Sequence, residues 1–462
     1  MPNLSLFTKK NLLVFSQLYR NAQIFRFFSQ NADKHYDIIV AGGGMVGTTL
    51  ACTLGKNPKL SEKKILLLEA SKDKSGNLGE EYSNRVVSIN HGTQKLLNQI
   101  GAWNFIEKNR FATVKKLQVW DALSDTSITF ETPHNTETVS YIVENDLLSA
   151  SVREEAKKCE NLDMRFEAKI KEYVLPQHNE TVCQVKLDND KNFSCDLLLG
   201  CDGVKSAVRT SMEADYISWN YDQIGIVATL KLCEKIQNEI AWQRFLPNGP
   251  VALLPLTDQL SSLVWSTTPQ EGERLLSLPE HEFVDELNNA IHGTFSKASI
   301  VVDATNAFNN LLSALNCSSN KTKPCPPKIQ AIVAGSRATY PLGFGHSSQY
   351  IRKGVALVGD AAHRIHPLAG QGVNLGFGDI TCLNQVLSDA IYSGSTINNL
   401  SYLKTYESQR QKHNVSTMLA TEGLHRLYNT DFTPVVLLRS LGLQATHALE
   451  PLKRAIIAQA AS

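Results

Sequence analysis

The sequence has no stretch approaching ~18 consecutive apolar residues, so no segment reads as a membrane-spanning helix. It also lacks a C-x-x-C pair. Its nine cysteines stand singly, at Cys52, Cys159, Cys183, Cys195, Cys201, Cys233, Cys317, Cys325 and Cys382, which excludes a zinc ribbon or a thioredoxin-type motif and suits a reducing compartment. No metal site is expected. Charge of one sign is missing as well: 46 Lys and Arg against 45 Asp and Glu give a net +1, with no basic run interleaved with aromatics, so nucleic acid is set aside as a partner. Acidic residues are absent from the first 32 positions, which carry Lys9, Lys10, Arg20 and Arg26 among Leu, Val and Phe at amphipathic spacing. That is the pattern of a mitochondrial presequence over residues 1–33, with Arg26-Phe27-Phe28-Ser29 reading as a processing site cleaved after Phe28.

What remains is ordinary globular composition, 42% hydrophobic and 20% charged, over 462 residues, more than one core usually serves. Tyr36-Asp37-Ile38-Ile39-Val40-Ala41, the turn Gly42 to Gly47, an apolar helix through Leu54 and the strand Ile65 to Leu68 form a βαβ unit with a parallel pair. Alternating strands such as Leu117 to Trp120 and Ser261 to Trp265 predict a mostly antiparallel sheet instead. Continuous apolar strands return at Asp196 to Leu199 and Val355 to Val358. The expected fold is therefore α/β: a Rossmann-like domain over 34–112, 150–215 and 330–410, an antiparallel domain inserted at 113–149 and 216–329, and a helical region over 411–462. A polar, proline-rich surface insertion is expected near 305–330.

Three glycine-bearing segments carry the chemistry. In Gly42-Gly43-Gly44-Met45-Val46-Gly47 the glycines at positions one, three and six allow a tight turn, close approach of a pyrophosphate and close helix-to-strand packing. Glu69, 22 residues after Gly47, ends the second strand, where its carboxylate can accept hydrogen bonds from an adenosine ribose. This fingerprint alone does not separate FAD from NAD. A second segment, Asp202-Gly203 through Arg209, follows a buried strand and opens a helix. The third runs Gly359-Asp360-Ala361-Ala362-His363, then His366-Pro367, then Gly370 to Gly376. An aspartate at a strand's end suits ribityl hydroxyls, and the amides of Gly372, Val373 and Asn374 suit negative charge on a reduced isoalloxazine, which selects FAD.

From residue 36 to about 410 these segments resemble the class A aromatic-ring hydroxylases, with the para-hydroxybenzoate hydroxylase fold. A closer resemblance, to the ubiquinone-biosynthesis monooxygenases, is carried by Ser83-Asn84-Arg85-Val86-Val87-Ser88, Tyr141 to Asn145 and Trp242 to Leu256. The resemblance implies hydroxylation of ring carbon 5 of a 4-hydroxy-3-polyprenylbenzoate through a C4a-hydroperoxyflavin formed with dioxygen, and electrons from ferredoxin and ferredoxin reductase. A second ring oxidation in the same pathway stays open. It further implies peripheral attachment to the matrix side of the inner membrane, with other subunits of a biosynthetic complex.

Several residues keep two readings at this stage. His363 and His366 suit proton transfer or a structural role beside the cofactor; Arg85 suits the flavin side of the pocket or a surface ion pair. Trp242, Arg244 and Phe245 alternate on a strand, so Trp242 and Arg244 share a face that lines a substrate cavity or packs in the core. The apolar cluster Val435 to Leu438 with Leu441 rests on a membrane or on the flavin domain. No residue is marked as the catalytic base. Two other functions remain possible for the whole: a flavoprotein reductase or epoxidase acting on another lipid, and a flavin-stabilised non-catalytic subunit.

Overall fold

The structure is a computed structural model in which residues 34–73, 79–124, 126–131, 138–177, 180–314, 325–449, 451–453 and 455–456 are described. The expected presequence, with its cleavage position after Phe28, lies outside the described residues, as do positions 315–324 of the proline-rich segment.

Strand β1 (Lys34–Ala41) leads through the glycine turn into helix α1 (Met45–Gly55), and β2 (Ile65–Leu68) returns beside β1 in parallel register, Ile38 opposite Ile65. Helix α2 (Asn145–Ala156) packs on α1. Then β3 (Asn192–Gly200) joins the free edge of β1, again in parallel. Ile38 to Ala41, Ile65 to Leu67 and Leu197 to Leu199 are all fully buried, the pattern of parallel strands covered on both faces with no polar side.

The chain then crosses to a second sheet. Strands β4 (Tyr216–Leu232) and β5 (Ile240–Leu246) lie there with Gly249–Pro255 and Leu260–Thr267, and helix α3 (Glu280–His292) covers one face through Phe283, Val284 and Leu287. Its pairs are antiparallel apart from β5 against Lys116–Asp121. Strand β6 (Ala338–Ser347) pairs with β4, and β7 (Val355–Leu357) returns to β3 in parallel. Helices α4 (Gly372–Tyr392), α5 (Leu400–Tyr428) and α6 (Thr433–Ala448) finish the described chain. The fold is thus α/β, with a parallel dinucleotide-type sheet, an inserted mostly antiparallel sheet and a helical C-terminal region.

Three expected boundaries shift. Within 113–149, Lys116–Asp121 and Ser127–Glu131 join the large sheet, whereas Ser140–Glu144 pairs with Val86–Ile89 and Ala112–Val114 in a sheet of its own. Glu144 explains the separation: buried, it accepts hydrogen bonds from Arg110 Nε (2.6 Å) and the Ser83 amide (2.6 Å). The return expected at 330 comes later, since β6 still belongs to the second sheet. Helix α5 begins at 400 rather than 411, where Asn399 Oδ1 accepts the Ser401 amide as an N-cap. The first part of the expected insertion is helix, Ser299–Ala314, packed on α6.

Arg439 locks α6 down. It is 3% exposed, donates to both carboxylate oxygens of Asp121 (2.9 and 3.1 Å), and donates also to the carbonyls of Leu427, Tyr428 and Thr430. The C-terminal cluster therefore anchors inward through this cation, while Leu438 and Phe432 remain exposed. Asp121→Ala would leave the guanidinium charge buried and uncompensated, at a cost of about 3–5 kcal/mol. Thermal unfolding of the variant should show a midpoint lowered by several degrees, with protease cleavage first near 429–432; an unchanged midpoint would show that the pair contributes nothing net.

Candidate FAD site

The three glycines of the first segment divide into two kinds. A Cβ at Gly42, whose φ is +103°, would lie 2.5 Å from the Cys201 carbonyl oxygen, and one at Gly47 would lie 1.9 Å from the Gly42 oxygen. Both are fixed by the protein's own packing. Gly44 has an ordinary φ of −66°, and a Cβ there would meet nothing within 4 Å. Its emptiness faces a helix start with no side-chain cap and no acidic residue in the first turn, where the first intrahelical bond is Thr48 N–H to the Gly44 carbonyl. Such a cradle of free amides fits a diphosphate.

Glu69 ends β2 beside this turn. Its carboxylate accepts the Gly43 amide at 2.6 Å and the Ser71 amide at 2.8 Å. Burial pushes its pKa up, but the hydrogen bonds from Ser71 and Gly43 prevail and hold it below the usual value. It is a charged acceptor beside the turn, as a ribose site requires.

In the second segment Gly203 has φ +77° and open space where a Cβ would stand. Asp202 Oδ2 accepts the Ala207 and Val208 amides, while its Oδ1 is buried with no partner among the described residues. An unpartnered acceptor beside a glycine with open space fits a ligand's hydrogen-bond donor. Arg209 binds this segment to the third, donating to Ala361 O (2.7 Å) and Val204 O (2.7 Å) and lying 3.7 Å over the Tyr216 ring.

The third segment is built around a carboxylate the sequence reading passed over. Asp379, fully buried on α4, accepts from the Gly359 amide (3.0 Å) and His363 Nε2 (2.6 Å) on one oxygen, and from Arg410 Nε (2.7 Å) and Asn414 Nδ2 (3.1 Å) on the other. Burial opposes its charge, yet His363, Arg410 and the Gly359 amide together hold the carboxyl far below its ordinary value. Asp360, next to this anchor, is solvent-exposed yet surrounded by protein at the floor of a cleft; burial raises its carboxyl, with His363 and Arg364 opposing. Val46 of α1 nests against Gly359 and Gly376, where Cβ atoms would come within 3.1 and 2.9 Å of it. The three segments therefore meet around one cleft.

At the start of α4 the first intrahelical bond runs from Leu375 N–H to the Gln371 carbonyl, so the amides of Gly372, Val373 and Asn374 precede it. The Asn374 side chain is otherwise engaged: its oxygen accepts from Asn90 N and Thr93 Oγ1, and its amide donates to Ser88 O. Only its backbone is available to a ligand.

His363 and His366 sit where the structural alternative puts them. His363 is committed to Asp379. His366, fully buried, accepts the Leu368 amide at Nδ1 and donates from Nε2 to Gln223 Oε1, which also accepts from His425 Nε2. Burial, then the neighbouring His425, pushes the His366 pKa down to about 3. Arg85 leaves its side chain exposed; burial raises the Tyr340 phenol, and the Arg85 charge opposes that rise.

The strand residues proposed for a substrate wall need correction. Trp242 is 5% exposed, edge-on to Trp120 in the core beneath α3. Arg244, on the same face, caps the end of α3 by donating to the carbonyls of Ala290, Ile291 and Gly293. That face is occupied by a helix whose terminal carbonyls need donors. Phe245 points the other way, stacking on Tyr428 at 3.7 Å within a cluster that includes Leu368 of the third segment. Among the described residues no group of three or more His, Cys, Asp or Glu could hold a metal ion.

Fold and cleft together define a flavin-dependent monooxygenase of the class A type. Among solved structures, PqsL of Pseudomonas aeruginosa superposes with a TM-score of 0.67 at 18% identity, covering 89% of this chain and all of that one. The p-nitrophenol 4-monooxygenase PnpA of Pseudomonas putida gives 0.66 at 16% identity, covering 93% and 99%. At such identities the likeness shows the fold. The FAD binding domain family matches residues 35–310 and 339–420. The relative named ubiquinone biosynthesis monooxygenase COQ6, mitochondrial, from Drosophila melanogaster is 48% identical over 423 residues, covering 91% of this chain and 88% of the relative. Its counterpart from Homo sapiens is 42% identical over 440 residues, covering 94% of each. The chain belongs to the FAD-dependent ubiquinone-biosynthesis monooxygenases.

Two measurements test the site. Gly44→Val, whose Cβ meets no protein atom within 4 Å, should fold and keep its unfolding midpoint without added FAD while losing bound flavin; a stoichiometrically yellow variant would overturn the cradle. Gly47→Ala should instead fail to fold, since its Cβ strikes the Gly42 carbonyl. The second test concerns pH. His366 stays neutral when folded but binds a proton when unfolded below its free pKa of about 6.5, so stability is full above that pH and falls as pH drops toward 3. Between about pH 6.5 and 5 the wild type should lose up to about 1.4 kcal/mol per pH unit from this group, and His366→Asn should flatten that slope. Parallel slopes for the two proteins would refute it.

Proposed function

We propose that this chain hydroxylates ring carbon 5 of a 4-hydroxy-3-polyprenylbenzoate in ubiquinone biosynthesis, using FAD and dioxygen, with electrons delivered by ferredoxin and its reductase. The observation that carries the reading is the meeting of three glycine segments at one cleft with an unfilled position at Gly44, an orphaned acceptor on Asp202 and an exposed, protein-surrounded Asp360. FAD, when bound, supplies the activation of dioxygen, one of whose oxygen atoms is delivered to the ring.

The chain's own contribution is binding, orientation and exclusion of water. The amides at the start of α1 would hold the diphosphate, Glu69 the adenosine ribose, and Asp360 the ribityl hydroxyls. The amides of Gly372, Val373 and Asn374 would stabilise negative charge on the ring system. Leu368 of the third segment joins Phe245 and Val119 of the second sheet and Tyr428 of α5 in one apolar cluster, so apolar surroundings suited to a prenylated ring adjoin that segment. A tail of that kind gains about 0.8 kcal/mol per buried CH₂. The exposed Arg85 beside Tyr340 offers a cation for a substrate carboxylate or an ionised phenol.

The relatives' names support a mitochondrial location. No helix among the described residues is long and apolar enough to cross a membrane. Exposed Phe432, Leu438, Leu449 and Leu452 favour peripheral contact with the matrix face of the inner membrane and with other subunits of a biosynthetic complex.

Mass spectrometry of polyprenylated ring precursors in depleted cells, rescued with wild type or Gly44→Val, tests the assignment. A prenylated ring lacking the carbon-5 oxygen should accumulate in the depleted cells and in the Gly44→Val rescue. A normal precursor profile on depletion would remove the ring assignment, and full rescue by a flavin-free Gly44→Val form would favour a non-catalytic role.

A further inference from the structure

The residues of β5 alternate in what they meet. Trp242 and Arg244 turn to the face covered by α3, whereas Ala241, Gln243 and Phe245 share the opposite face. Gln243 is half-buried there, and among the described residues no donor or acceptor meets its side-chain amide. Register places it opposite Val119 on one side and Ala252 on the other, and the row continues through Val264 to Val227. Gln243 is thus the one hydrogen-bonding side chain in a transverse row that is otherwise Val and Ala. An amide on an apolar wall needs a partner from water or from a ligand.

A circuit of contacts surrounds this amide. Phe245, two residues on, shares an apolar cluster with Leu368 of the third segment. The turn carrying Leu368 closes through the Gly370 amide on the Pro367 carbonyl (2.8 Å), and a Cβ at Gly370 would stand 3.7 Å from Ser88 Cβ. Asn374, in the first turn of α4, fastens the same point, its Nδ2 donating to the Ser88 carbonyl at 2.9 Å. Two residues before Ser88, Val86 packs against the cluster that holds Ala241, and Ala241 stands two residues before Gln243. The path therefore leaves β5 on one side of Gln243 and returns to it on the other. Within the row, Gln243, Ala252 and Val264 keep partial exposure, as residues lining a space do and residues of a packed core do not.

We infer that Gln243 receives the ring hydroxyl of the substrate: its Oε1 accepts the phenolic O–H, and the flanking Val and Ala side chains leave room for the flat ring. The inference rests on the reading that the substrate is a 4-hydroxybenzoate. An amide oxygen accepts a hydrogen bond but takes no proton at neutral pH, so Gln243 orients and polarises the ring without acting as a base. Drawing the O–H toward an acceptor raises electron density in the ring, most at the positions ortho and para to the hydroxyl. Carbon 5 is ortho to the hydroxyl on carbon 4, while carbon 3 carries the prenyl chain and the para carbon carries the carboxylate. One hydrogen bond thus both aims and activates the position to be oxidised. The O–H grows more acidic as the ring gives up electrons, so this bond strengthens on the way to the transition state.

The test uses the full-length holoenzyme and two probes, a 4-hydroxy-3-prenylbenzoate with a short prenyl chain and its 4-methoxy analogue, which has no O–H to donate. Binding is read from the perturbation of the flavin absorbance. Coupling is read from single turnovers in which photoreduced enzyme meets dioxygen, as hydroxylated product against released hydrogen peroxide. Wild type should bind the hydroxy probe roughly tenfold more tightly than the methyl ether, the effect of about one hydrogen bond. Gln243→Leu should lose that preference and release peroxide in place of most of the product. Its FAD content and unfolding midpoint should stay at wild-type values, since no described protein group bonds to the amide. Gln243→Glu, which keeps an acceptor oxygen, should restore the preference. If wild type hydroxylates the probe and Gln243→Leu matches it in preference and coupling, the proposal falls while the substrate reading stands. A Gln243→Leu protein that loses FAD or stability would overturn it in favour of a structural role. Wild type that neither binds nor oxidises the probe would remove the substrate reading and the proposal together.

Discussion

The carboxylate of Asp379 is the constraint on which the cofactor half of this molecule depends. Taking a carboxylate fully out of water costs several kcal/mol after relaxation, and only complete pairing offsets it. Here both oxygens receive two donors: the Gly359 amide and His363 on one, Arg410 and Asn414 on the other. The arrangement leaves no lone pair unfilled and fixes three elements at once, the turn after β7, helix α4 and helix α5. Because the Gly359 amide is one of the four donors, the turn presenting Asp360 to the cleft cannot shift without breaking a charged hydrogen bond.

Other sequence choices follow from that anchor. Gly378 stands where a Cβ would come within 2.7 Å of Arg410 Nη2, so its lack of a side chain lets the guanidinium reach Asp379. Gly359 and Gly376 admit Val46, which transmits the position of α4 to the start of α1. Arg209 ties the middle segment in through the Ala361 carbonyl. Glycines that a sequence reading attributes to a ligand are thus of two kinds. Gly42, Gly47 and Gly376 are required by the chain's own atoms, and Gly44 and Gly203 leave room that the chain itself does not use.

How much of this was legible follows from how local each signal is. The parallel βαβ unit, the three segments and Glu69 could be read because strand, turn and acid lie within a few dozen residues and repeat a known spacing. The Asp379 network could not, since Arg410 lies 31 positions away and Asn414 35, and nothing in local pattern pairs them. A hint existed in retrospect: Asp379 is a charge on an otherwise apolar stretch of helix, between Phe377 and Ile380, where a solvated face has no place. Trp242 and Arg244 show the opposite limit. Alternation correctly put them on one face, but periodicity does not say whether a cavity or a helix end covers that face. Cys183 and Cys195, isolated in the sequence, likewise became neighbours only through strand register.

The two histidines of the third segment illustrate why burial alone does not make a catalytic base. A general base needs a lone pair free to take a proton and a pKa near the working pH. His363 already gives its Nε2 hydrogen to Asp379, whose charge is divided among four donors. His366 spends its lone pair on the Leu368 amide and its N–H on Gln223, and its conjugate acid is disfavoured down to about pH 3. Both rings therefore act by holding backbone: one fixes the turn carrying Asp360, the other the turn from Pro367 to Gly370 that delivers the chain to α4. Neither buried imidazole therefore meets the requirements of a general base.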